Sequence, residues 1–169
     1  ILQVGADSNK SFRELKEAYE EILGASVKGT EDDSAALAFL ARSANLAKVT
    51  REETKVAADA LTSLLNAYSQ DASQAGRASD LLWASISAGK VKLGEIAGSL
   101  GATAGQAAAL NVPMEELLGA MALLTTRGIP ASTALEYIRS ALSNVQKPSQ
   151  AARDTAKELG IQFDAAALK

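Results

Sequence analysis

Three pairs of adjacent carboxylates, Asp32/Asp33, Glu52/Glu53 and Glu115/Glu116, are the residues of this 169-residue chain best suited to chemistry. Two carboxyl groups facing each other across a cleft, roughly 5 to 9 Å apart, can share acid and base work at a glycosidic bond. Adjacent residues on a helix point about 100° apart, so no pair supplies that geometry alone. Each pair also stands where a helix is expected to begin, and negative charge in a first turn is favoured by the helix dipole. Capping is the reading for all three. The chain has no histidine and no cysteine. That removes the side chain most often used as a base or metal ligand near neutral pH, together with disulfides and thiolate chemistry. No catalytic, cofactor-binding or metal-ligating residue is expected, no cofactor is implied, and the chain is not read as an enzyme.

The glycines invite a phosphate-loop reading, which fails. No G-x-x-x-x-G-K-[ST] string exists, and Gly89-Lys90 lacks the upstream glycine. The run Gly98-Ser-Leu-Gly101-Ala-Thr-Ala-Gly105 follows no predicted strand. Residues 96–114 carry no charge, and Gly94/Gly98 and Gly101/Gly105 are each four apart, as in the small-residue interfaces of membrane helices. Ser99, Thr103, Gln106 and Asn111 dilute the stretch, so close packing of short helices inside a bundle is preferred to membrane spanning. Trp83, Tyr19, Tyr68 and Tyr137 have no interleaved Lys or Arg to build a base-stacking platform, so they are taken as core or interface anchors. The 17 basic and 20 acidic residues are spread evenly, for a net charge of −3. Without a basic stripe, direct nucleic-acid binding is not expected.

The elements that position these residues are predicted to be helices. Apolar residues make up 47% of the chain but aromatics only 4%, so the core must be Ala and Leu, both good helix formers. The fold class expected is all-α, a compact bundle or array of about eight or nine short helices. A first helix spans about Lys10 to Leu23, with Phe12, Leu15, Tyr19 and Ile22 on its buried face and Gly24 as its stop. A second follows Thr30 and the acidic turn Glu31–Asp33, and carries Leu37, Phe39, Leu40 and Leu46. Thr50 and Glu53 form a capping box opening a third, with Ala57, Leu61, Leu64, Leu65 and Tyr68 as its stripe. Asp71 or Ser73 caps the next, which bears Ala78, Leu81, Leu82 and Ile86 and ends at Gly89, with Trp83 beside the stripe.

Residues 93–110 are expected to form two short helices meeting near Gly101. Pro113 then starts a helix with Leu117, Leu118, Met121 and Leu124, closed near Gly128. Pro130 starts one with Leu135, Ile138 and Leu142, and Pro148-Ser149 opens a last one ending at Gly160. Val49-Thr-Arg-Glu-Glu53 and Val112-Pro-Met-Glu-Glu116 match, which suggests a duplicated helical hairpin. The chain opens on Ile1 rather than Met, as a piece of a longer protein would, and shows no cleavable signal.

Several strings in order look familiar. Ala58-Ala-Asp-Ala-Leu-Thr-Ser-Leu-Leu-Asn-Ala-Tyr68 leads to Ala75-Gly-Arg-Ala-Ser-Asp-Leu-Leu82, and then to Leu93-Gly-Glu-Ile-Ala-Gly-Ser-Leu100. Ala107-Ala-Ala-Leu-Asn-Val-Pro-Met-Glu-Glu116, Leu123-Leu-Thr-Thr-Arg-Gly-Ile129, Lys147-Pro-Ser149 and Ala156-Lys-Glu-Leu-Gly-Ile161 complete the succession. It resembles the conserved region of phage tail tape-measure proteins, over about residues 35–163. One departure is Ser69-Gln-Asp71, where a glycine-containing turn is common in that family.

The resemblance divides the chain into an N-terminal helical arm at 1–30, a tape-measure-like helical domain at 31–164 and a tail at 165–169. It implies a structural component of the virion tail, in the lumen of the tail tube, and in the host cytoplasm during assembly. The implied roles are tail assembly, tail-length determination and DNA ejection. The implied partners are tail-tube, tail-tip and assembly-chaperone proteins and further copies of the chain, with membrane contact only during ejection. A ruler should be long uninterrupted helix, whereas this segment is broken about every 15 residues, so a docking or anchoring module is expected. The alternatives are a helical adaptor unrelated to tails and, less favoured for want of histidine and a facing acid pair, a cell-wall hydrolase.

Overall fold

The computed structural model describes residues 1–159, whose regular structure is all helix. The helices are α1 (Leu2–Ser8), α2 (Phe12–Gly24), α3 (Asp33–Thr50), α4 (Thr54–Ala67), α5 (Ala75–Gly89), α6 (Leu93–Ala109), α7 (Met114–Thr126), α8 (Ala131–Gln146) and α9 (Gln150–Glu158). A single 3-10 turn, Ala72–Gln74, leads into α5. The expected stop at Gly160 and the tail at 165–169 lie outside the described residues.

Packing sorts the first eight helices into two layers. Helices α1, α3, α5 and α7 lie side by side in one, and α2, α4, α6 and α8 in the other. Most sequence neighbours cross between layers, so the chain advances along an open-ended array in which each helix meets only near neighbours. Residues 1–30, expected as a leading arm, hold α1 and α2, and their Leu15, Ala18, Ile22 and Val27 are fully buried in the shared core. Phe12 does not join them. It is 56% exposed, because it lies on the flank of the stripe that Leu15, Ala18 and Ile22 form.

The core centres on α4. Thr54, Ala57, Ala58, Ala60, Leu61, Thr62, Leu64 and Leu65 are all buried, most of the helix's circumference. Its neighbours are α2 and α6 in its own layer and α3 and α5 in the other. A helix apolar nearly all round belongs inside a fold, and three alanines let the surrounding backbones come close. Burying each of Leu61, Leu64 and Leu65 contributes about 1.5–3 kcal/mol.

Residues 93–109 form one continuous helix rather than two, which corrects the expected break at Gly101. Each interior glycine costs about 0.5–1 kcal/mol relative to alanine. The burial of Leu93, Ile96 and Leu100, at about 1.5–3 kcal/mol each, outweighs the four glycines together. Gly101 serves close approach, since a Cβ there would lie 3.1 Å from the Cβ of Ser63 on α4. Gly89 does the same for α7, where a Cβ would collide with the Thr125 hydroxyl and lie 3.3 Å from the Ala122 Cα.

The turns are made by other residues. Five helices close through the same bond, from an amide to the carbonyl five residues earlier. These are Glu52 to Ala47 (3.0 Å), Gln70 to Leu65 (2.8 Å), Val91 to Ile86 (3.1 Å), Val112 to Ala107 (2.9 Å) and Ile129 to Leu124 (3.3 Å). The left-handed residues just before those amides are Arg51, Ser69, Lys90, Asn111 and Gly128, of which only one is glycine. Ser69, the departure noted above, therefore adopts the backbone a glycine would take (φ 51°). The matched strings Val49–Glu53 and Val112–Glu116 straddle different points. α4 starts after Glu53, whereas α7 starts two residues before Glu116.

Glycine substitutions separate these roles. Gly98→Ala and Gly105→Ala, where an added Cβ meets nothing within 4 Å, should each stabilise the fold by about 0.5–1 kcal/mol. Gly101→Leu should destabilise it by about 1–3 kcal/mol through overpacking. Urea denaturation followed by circular dichroism measures all three, and equal effects at the three sites would refute the assignment.

Candidate functional site

The three acid pairs occupy three different helix junctions. Asp32 caps α3, its carboxylate accepting from the Ala35 amide at 2.9 Å. Glu115 and Glu116 stand in the first turn of α7, and Glu115 also pairs with Arg77 of α5. The pair Glu52/Glu53 precedes α4 instead of entering it. The predicted capping box does not form, because Thr50 is the last residue of α3 and its hydroxyl donates to the Leu46 carbonyl at 2.8 Å.

The cap of α4 comes from another helix. Glu14 Oε1, on α2, accepts from the Thr54 amide at 2.9 Å and from the Thr54 hydroxyl at 2.7 Å. Lys10 Nζ lies 2.8 Å from the same oxygen and donates to the Glu52 carbonyl at 3.0 Å. Glu52 in turn caps α6, its Oε1 accepting from the Gly94 amide at 3.3 Å. Burial pushes the Glu14 carboxyl up, but the bonds from Lys10 and Thr54 outweigh it and hold it below its ordinary value. This network lines an open cleft of roughly 540 Å³ with Lys10, Ser11, Arg13, Glu14, Glu17, Arg51, Glu52 and Glu53. Its central carboxylates are engaged in helix capping, and Glu17 pairs with Arg13 at 3.0 Å. Chemically the cleft is a junction of helix ends. Sequence reasoning missed it, although Ser11 followed three residues later by Glu14 is a capping-box string that could have drawn attention. Ser11 does cap α2, accepting from the Glu14 amide at 3.2 Å.

The aromatic residues are dispersed. Tyr19 on α2 donates to Asp33 at 3.3 Å, Trp83 on α5 is 41% exposed and Tyr137 on α8 is 57% exposed. Tyr68, at the end of α4, is half-buried and donates to the Val112 carbonyl at 3.1 Å. Among the described residues no group of three or more acidic, histidine or cysteine side chains is placed to hold a metal ion. No described helix is long and apolar enough to cross a membrane.

Comparison with known proteins gives this capped helical array a family. The family described as phage-related minor tail protein matches residues 1–169. The chain belongs to that family. A tape measure protein of Pneumococcus phage Dp-1 is 25% identical over 162 residues, covering 96% of this chain and 14% of the relative. The chain therefore spans about one-seventh of the length of the curated relative it matches. No solved structure matches it. Membership in a minor tail family related to tape-measure proteins supports a structural role in the virion tail. It also displaces the adaptor unrelated to tails.

Tyr68 offers a test of the α4 end. Burial, and then the nearby Glu115 charge, push its phenol up to about 12. The folded state thus favours the neutral phenol. The stability this contributes is complete below the ordinary value near 10 and is lost as pH rises toward 12. Denaturation curves at pH 8 and 11 should show a larger loss for the natural chain than for Tyr68→Phe. Equal losses would place Tyr68 in water.

Proposed function

We propose that this module docks or anchors a tape-measure-related protein within the phage tail and is not the length-measuring segment itself. The observation that carries the reading is the stacking of short helices. The longest helix, α3, has 18 residues and spans about 27 Å at roughly 1.5 Å per residue. A continuous helix of the whole chain would reach about 250 Å. A folded array sets tail length poorly but presents a broad, shaped surface to other proteins. Partners consistent with the family are tail-tube, tail-tip and assembly-chaperone proteins and further copies of the chain, with a position in the tube lumen and departure ahead of the DNA. Trp83, Leu123 and Tyr137, all substantially exposed, are the side chains we would place in such contacts.

Deletion of residues 31–164 from a phage carrying the parent gene provides the test. The proposal expects failure of tail initiation or tip assembly, seen as missing or tipless tails by electron microscopy. Viable tails shortened in proportion to the deletion would assign the segment to the ruler. In solution, small-angle scattering of the isolated chain should give a compact particle, and a rod several times longer would contradict the docking reading.

A further inference from the structure

The end pair α1–α2 packs only on the helices next to it in the array. Helix α2 packs on α1, α3 and α4, and α1 packs on α2 and α3, so neither supports α5 to α8 directly. In a stacked array such an end layer can leave without dismantling the remainder. Two things hold it. One is apolar, the burial of Leu15, Ala18 and Ile22. The other is a single carboxylate, Glu14 Oε1, which reaches across to the Thr54 amide and hydroxyl that open α4. Helix α4 has no side-chain cap of its own. Its cap and part of the attachment of α2 are therefore the same bonds.

We propose that Glu14 is an acid-released latch: its protonation frees α1–α2 from α4 as one unit while α5 to α8 stay folded. A neutral carboxyl keeps one acceptor oxygen but loses the charge that strengthens bonds from Lys10 and from the α4 amide end. The groups facing Glu14 are Lys10, Arg13 and Glu17 from its own helix region and Arg51, Glu52 and Glu53 from the α3–α4 turn. Lys10 is bound to Glu14 at 2.8 Å and Arg13 is drawn toward Glu17. Farther along α2, Glu21 pairs with Lys55 at 3.5 Å and faces Asp59 of α4, while Tyr19 meets Asp33 of α3.

The two acidic sites act with opposite signs. The Glu14 carboxyl sits below its ordinary value, so its contribution is present above about pH 4.5 and is lost as pH falls through the folded value. Asp59 is pushed up by burial and then by Glu21, so its protonation relieves a burial cost and a repulsion there.

Native-state hydrogen exchange on the whole chain, by nuclear magnetic resonance from pH 7 to pH 3, tests the latch. Rates are divided by those of an unstructured peptide at each pH. At pH 7, Glu14→Gln should reduce protection roughly ten- to hundredfold in α2 and the first turn of α4 together. Helices α5 to α8 should keep theirs. The natural chain should converge on the variant as pH falls below the ordinary Glu value of 4.5 and through the lowered folded value, and the variant should lack the acid fall. Thr54→Val, which removes one bond and leaves Glu14, should give a smaller loss in the same region. Loss spread evenly through α8 would overturn the proposal, as would loss confined to the first turn of α4. Equal protection of α2 in the natural chain and Glu14→Gln at pH 7 would also overturn it.

Discussion

Helix α4 cannot face water, and most of the rest follows from that. Its eight buried residues require neighbours on nearly every side, and α2, α3, α5 and α6 supply them. A buried helix must also have its end groups satisfied, because unpaired backbone polar groups are costly away from solvent. At the start of α4 the chain meets this requirement with a side chain far away in sequence. Glu14 serves the Thr54 amide at the start of α4. Near its end, Asn66 donates to the Ala25 carbonyl at 2.8 Å and Tyr68 to the Val112 carbonyl at 3.1 Å. The first bond finishes α4, whose last carbonyls are met by the Tyr68, Ser69 and Gln70 amides, and all three tie a different segment to it.

Around that hub the fold extends by repetition of one turn. A helix ends, one residue turns left-handed, and the next amide closes back on the helix it has left. Apolar Val91, Val112 and Ile129 donate three of the five closing amides. The result is an array whose contacts are near in sequence and whose two ends are not joined. Such a body has a large surface for its mass and can yield at an end while its middle holds. Both properties favour the proposed docking role over that of a rigid measuring rod.

The fold class was legible because it rests on local facts. Low aromatic content, abundant Ala and Leu and apolar residues at helical spacing allow little besides packed helices. Helix positions were legible for the same reason, as were the starts marked by Pro113, Pro130 and Ser149. Two elements escaped. The short α1 lies where no stripe was read, and Phe12 was assigned to a face from which the stripe of Leu15, Ala18 and Ile22 turns away. At the candidate site, the sequence shows three acid pairs at helix starts. It does not show that Glu52 serves α6, or that Glu14 rather than Thr50 completes α4.

By itself, then, the sequence determined an all-helical, Ala/Leu-cored chain without the histidine or cysteine that much catalysis uses, and its ordered strings already resembled the tail family. Tertiary structure alone decided what the glycines mean. Gly101, expected at a break, lies inside α6 because α4 presses against it, while Gly89 ends α5 as expected and also lets α7 approach closely. Arg51, Ser69, Lys90 and Asn111 make turns that local preference would have given to glycine. The physical reason is one of scale. A backbone preference is worth about a kilocalorie per residue, whereas burying a Leu or Ile contributes about twice that or more. A residue's effect on the chain therefore depends on what is packed against it.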